Sequence, residues 1–425
     1  MRKLIETIKN IWGIEDLRSR ILMTLGILAI YRLGSFVVIP GVDPLQLAAL
    51  EAQSADGLLG LLNMFTGGAF SQASIFALGI MPYISASIVI QLMTMAVPYL
   101  QKLQKDGESG RTKLSQITRY LTVLITCVQA PGYIANLKAT LPAEAFLLSS
   151  GAFWFSSIVI LVTGTMFAMW LGEKITDRGI GNGISLLIMV GIIASLPQSF
   201  LFEVGRANPL IILVELIILL VVILLSVMLV QGVRRIPIQY AKRGATAQVA
   251  AARQYMPLKV NAAGVMPIIF AQAIMFIPIT FAGFSDSEGV QSFVTTFSDF
   301  SGFWYNFAFA ILIITFTYFY TAITVNTNQM ADDLKRNGGF IPGVKPGKDT
   351  AGFLDGVMSR IVLPGSVFLA ILAILPAFAM NAGINQSFAQ FFGGTSLLIM
   401  VGVVLDTLQQ IESYLLSRHY DGLMK

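Results

Sequence analysis

The chain has 425 residues, of which 55% are hydrophobic and only 12% charged, with a mean hydropathy of +0.75. Too few charges remain to coat a soluble globule, so the class is an all-α polytopic membrane protein. One histidine (His419) and one cysteine (Cys127) exclude a disulfide, a Cys/His metal centre and a Cys–His nucleophile pair, so no metal, cofactor or enzymatic activity is expected.

In chain order, a charged N-terminal segment (1–20) precedes ten apolar runs long enough to cross a bilayer: 21–40, 73–98, 117–136, 152–172, 182–201, 209–232, 262–283, 304–325, 358–380 and 395–416, with a tail at 417–425. Charges of both signs before the first run, and no small-residue cleavage site behind it, predict that the N-terminus is retained. Between the first two runs lies a shorter apolar piece, LLGLLNMF, from Leu58 to Phe65, which stops at Gly67-Gly68. A crossing helix needs about 20 residues, so this piece can only dip into the membrane or pack inside protein, as a stopper would.

Lys and Arg resist translocation and collect in cytoplasmic loops. Here they crowd the segment before span one and the loops after spans two, four, six and eight, while the opposite loops hold only Lys138 and Arg206. Both termini are therefore expected in the cytoplasm. The net charge of +5 follows from topology and an anionic lipid surface, without any nucleic-acid specificity. Ten spans divide into five and five, and an odd number per half sets two related halves in inverted orientation, here 21–201 and 202–416. The longest basic loops are 233–261 and 326–357. The second contains Ile341-Pro-Gly-Val-Lys-Pro-Gly347, whose Pro-Gly pairs favour tight turns; the tip suits an acidic partner or is an ordinary solvated loop.

Charges inside the spans are scarce. Arg32, Glu215 and Asp406 are the main ones, open to snorkelling, pairing or ion coupling. Gly343 to Asp349 fails as a phosphate-binding loop on spacing, residue and context, so no ATP hydrolysis is expected. Pro82, Pro267, Pro278, Pro364 and Pro376 interrupt apolar runs, which membrane helices tolerate where neighbours or a cavity satisfy the freed backbone groups. Ile80 and Ile84 share one helical face, as do Ile184 and Ile188. Such side chains face lipid, pack against helices, or form a dewetted constriction that seals without holding an ion.

The strings NMFTGGAFSQASIFALGIMPYISASI (63–88), GESGRTKLSQITRY (107–120), TGTMFAMWLGEKITDRGIGNGIS (163–185), PLKVNAAGVMPIIFA (257–271), GGFIPGVKPG (338–347) and GGTSLLIMVGVVLDT (393–407) resemble the bacterial SecY family, the channel subunit of the Sec protein translocase. The resemblance implies ten helices around a central pore in the plasma (inner) membrane. Unfolded secretory polypeptides would pass outward through it, and transmembrane segments would leave sideways into lipid. A lateral gate would lie between spans two and three on one side and seven and eight on the other. It also implies a pore ring of Ile80, Ile84, Ile184, Ile188, Ile269 and Ile399, and a plug at 57–71 built on Leu58, Leu59, Leu61, Leu62, Asn63, Met64, Phe65, Gly67 and Gly68. Gln91 and Asn182 are polar residues of the pore or gate, or simple helix contacts.

Implied partners are SecE and SecG subunits, the SecA motor ATPase, the ribosome, signal sequences and nascent polypeptides. Lys242, Arg243, Arg253, Lys335, Arg336 and Lys345 are the docking bases. The chain departs from the family pattern at two places: Lys345 stands where many members have arginine, and GATAQVAAAR follows Lys242-Arg243 in place of an arginine pair. The rival reading is a secondary transporter of a small solute, which predicts a polar cluster at mid-membrane. An intramembrane enzyme lacks a catalytic group.

Overall fold

The computed structural model describes residues 12–47, 50, 57–206, 208–240, 254–282, 299 and 301–423. The first helix described over its whole length, α1 (Glu15–Gly34), has Glu15 and Asp16 in its first turn and Arg32 in its last, charges placed to suit the dipole at each end. Next comes the short α2 (Gly57–Phe65), followed by turns up to Ile80.

The second apolar run differs from its expected 73–98 helix. Only α3 (Met81–Ala96) is helical, and it meets α4 (Pro98–Lys105) at a bend of 103°. Both ends have local causes. Ile75 N donates to Val37 O and Ile39 N to Ala73 O, so residues 73–75 pair with extended chain instead of joining a helix. Val97 is extended because Pro98 follows it.

The remaining described helices are α5 (Gly107–Thr140), α6 (Ser150–Arg178), α7 (Gly183–Arg206), α8 (Pro209–Gln231), α9 (Met266–Ala282), α10 (Phe303–Thr324), α11 (Thr327–Arg336), α12 (Lys348–Asn381), the single turn α13 (Gln386–Ala389) and α14 (Gly394–Leu423). By length and composition, seven described runs can cross a membrane, or eight if the bent α3–α4 pair counts as one. Without a hydrophobic force between helices in lipid, close packing and hydrogen bonds hold them. Thr118, Thr122 and Thr126, one turn apart on α5, return their hydroxyls to the preceding turn and leave a smooth buried seam. At one end of α5 and α6, Arg119 grips Glu173 with two hydrogen bonds, of 2.7 and 3.3 Å.

The long basic loops are more ordered than their turn-rich composition suggests. Strands β1 (Val233–Tyr240), β2 (Gln254–Lys259) and β3 (Gly339–Phe340) form an antiparallel sheet in the order β2-β1-β3. Register runs from Val233 opposite Lys259 to Ile238 opposite Gln254, with Gln239 opposite Phe340. Ile236 and Ile238 point inward with Leu258, Leu334, Ile341 and Leu354, so β1 ties the two loops over one apolar layer. Beside it, Val344 N donates to Ile341 O across Pro342-Gly343, where Gly343 takes the positive φ (+85°) that this turn requires.

Candidate functional site

The six isoleucines come from four separate helices and their approaches: Ile80 and Ile84 from the start of α3, Ile184 and Ile188 from the first turns of α7, Ile269 from α9 and Ile399 from α14. They belong to one apolar cluster, in which Ile80, Ile84, Ile188 and Ile399 are buried and Ile184 and Ile269 are half-buried. Met64 and Phe65, at the end of α2, join the same cluster, as do Phe270, Phe388, Phe391 and Phe392. These phenylalanines are contributors that spacing did not single out, because aromatic residues in an apolar span look the same whether they face lipid or a neighbour.

The end of α2 is built to stop there. Gly67 and Gly68 take φ of +66° and +89°, a left-handed turn that side chains disfavour. Their N–H groups donate to Met64 O and Asn63 O, satisfying carbonyls that a helix end leaves open. Asn63 Oδ1 accepts from Ser71 N, Ser71 Oγ donates to Gly68 O, and Tyr133 Oη donates to Phe70 O at 2.9 Å. Ser396 of α14 reaches Met64 Sδ at 3.2 Å, and Arg32 Nη1 reaches Gly67 O at 2.7 Å. Leu62 turns away from the isoleucines and packs with the α5–α6 cluster. Leu58, Leu59 and Leu61 lie on α2, but their side chains are outside the described residues.

Asn182 is exposed and caps α7, its Oδ1 accepting from Ser185 N. Gln91 is half-buried on α3, and its carbonyl accepts from Thr94 Oγ1. Lys335 and Arg336 are exposed in the last turn of α11, and Lys345 is exposed in the turn beside β3. Lys242, Arg243 and Arg253 fall outside the described residues. Arg234 and Arg235 are two further exposed bases, on β1 of the same sheet as β3. Of the three charges singled out in the spans, Arg32 is the one that touches the short helix. Glu215 is buried in α8, and Asp406 lies on α14.

Residues 74–408 match the family model SecY. The protein translocase subunit SecY of Escherichia coli (strain K12) is 42% identical over 423 residues, covering 97% of this chain and 95% of that protein. Among solved structures, a SecY channel whose plug domain is described as stabilising the closed state and maintaining a membrane seal matches with a TM-score of 0.63 and 18% identity, over 93% of this chain and 92% of that one. The channel in the canine ribosome–channel complex from the endoplasmic reticulum matches with a TM-score of 0.58 and 15% identity, over 93% and 92%. At those identities the structures speak for the fold, and the sequence match over nearly the whole length speaks for descent. The chain is a multi-pass membrane protein and belongs to the SecY family.

Proposed function

We propose that this chain forms a protein-conducting channel: unfolded secretory polypeptides cross the bacterial inner membrane through it, and transmembrane segments leave it sideways into lipid. The observation that carries the reading is the cluster of six isoleucines, drawn from both halves of the chain, against which a helix too short to cross the membrane rests Met64 and Phe65. Bulky aliphatics around a narrow waist offer water and ions no hydrogen bonds, so the waist dewets; yet they slide past any passenger side chain. Residues 57–71 act as the plug beneath this ring.

The halves 21–201 and 202–416 open against one another, and the lateral gate lies between α3 with α5 and α9 with α10. Gln91 and Asn182 lie on the elements that carry the ring. Both termini lie in the cytoplasm, as the basic loops require. The exposed bases of the sheet face, together with Lys242, Arg243 and Arg253, dock the driving partner, a SecA motor or a translating ribosome; SecE and SecG complete the complex. Energy comes from that partner.

The test is contact with the passenger. With Cys127 replaced, a single cysteine is placed at Ile84, at Ile188 or at Ile217, a residue of α8 that is 55% exposed on the surface of the chain and outside the isoleucine cluster. A stalled secretory polypeptide carrying one cysteine is expected to form disulfides at the first two positions and not at the third. Equal crosslinking at all three, or at Ile217 alone, would overturn the assignment of the ring.

A further inference from the structure

Arg32 lies in the last turn of α1, and among the described residues no carboxylate comes within ion-pair distance of it. An arginine at the edge of a membrane span stays charged and is costly to leave without a partner. Its guanidinium lies over the Phe36 ring, 5.3 Å from the centroid, and its Nη1 donates to Gly67 O at 2.7 Å. That carbonyl belongs to the left-handed turn that ends α2, the negative end of the helix dipole. The fit is close: a Cβ on Gly67 would stand 2.5 Å from Nη1.

On α7, Gly191 forms the facing wall. A Cβ there would stand 2.7 Å from Phe65 O and 3.1 Å from Gly67 N. A guanidinium on Gly67 and a side-chain-free notch against Phe65 O and Gly67 N therefore meet at the same turn from two helices.

We propose that Arg32 is the release latch of segment 57–71, a positioning residue that sets how often the segment leaves the ring. This rests on reading 57–71 as the plug. One charged hydrogen bond to that carbonyl is strong enough to bias the closed state and weak enough to break when the segment leaves. An acid partner for the arginine would compete with the segment, and among the described residues none is present.

The test is resting ion conductance of the purified channel in planar bilayers, for intact chain and for chain lacking 60–68, which removes the Gly67 acceptor. In intact chain, Arg32→Ala is expected to raise conductance about tenfold, the shift that losing a charged hydrogen bond produces in a two-state balance. Arg32→Lys, which keeps the charge and loses the planar fork, is expected to fall between. Gly191→Ala, pressing on the same turn from α7, is expected to raise conductance even if Arg32→Ala does not accumulate. In the deleted chain, where the latch holds nothing, Arg32→Ala and Gly191→Ala are each expected to add less than twofold. If the deletion raises conductance and Arg32→Ala and Gly191→Ala both leave the intact chain tight, the latch is overturned while the plug stands. If the substitutions act equally in both chains, they act elsewhere and the latch is overturned. If the deletion itself changes nothing, the plug reading fails first.

Discussion

The sheet β2-β1-β3 is fixed along its length, by paired residues from Val233–Lys259 to Ile238–Gln254 and by an apolar layer from Ile236 to Leu354. Among the described residues, the segment around α2 is fixed at its end: residues 63–71 hold every hydrogen bond described above, and Leu62, Met64, Phe65, Ala69 and Phe70 pack into the neighbouring apolar clusters. One region is suited to presenting charges in a constant arrangement. The other is suited to leaving as a unit, since the contacts described for it are gathered at one turn. On the proposed function, the same chain separates a docking surface that must not move from a stopper that must.

This contrast can be broken from either side. The largest effect is expected from Ile236→Asp, which places a carboxylate in the apolar layer and removes about 3 kcal/mol or more from the sheet. Partner-driven export should collapse while resting conductance stays at the wild-type level; a leaky channel would show that the two regions are not separate. The double reversal Lys335→Glu and Lys345→Glu, at exposed positions, should weaken partner binding about tenfold at low salt and much less at high salt. Salt-independent binding would remove these bases from the docking face.

A smaller effect is expected from Tyr133→Phe, which leaves the Phe70 carbonyl without its hydroxyl donor and costs about 1 kcal/mol. Conductance should rise, by less than for Arg32→Ala. Smallest of all is Arg119→Ala. Its bond to Glu173 is bidentate, but the arginine side chain is 45% exposed, so the change in thermal stability should correspond to less than about 1 kcal/mol, with no leak.

How much of this was legible in the sequence depended on the range of the interaction involved. The long apolar run of α8, with Glu215 as its one charge, and the early stop of α2 at Gly67-Gly68 are local signals, and both elements stand where the residues placed them. Residues 73–80 misled because SIFALGI is as apolar in turns as in a helix; what unwinds it is pairing of Ile39 and Ile75 with chain 35 or so positions away. The sheet was hidden for a similar reason. Pro237 sits in the middle of β1, and the partner strand β3 lies about 100 residues on. Arg32 stood out as a charge in an apolar run, but its acceptor is a backbone carbonyl that no residue pattern marks. The gathering of six isoleucines rested on family resemblance, because a periodicity of four gives a face and not what the face meets.

The most direct test of the central account is the resting ion conductance of the reconstituted channel with Ile84→Ser and Ile188→Ser, compared with Ile211→Ser on the exposed side of α8. The account predicts that each ring substitution raises conductance well above wild type, because a hydroxyl wets the waist, and that the α8 substitution changes nothing. Wild-type conductance from both ring variants, in channels that still export protein, would contradict it.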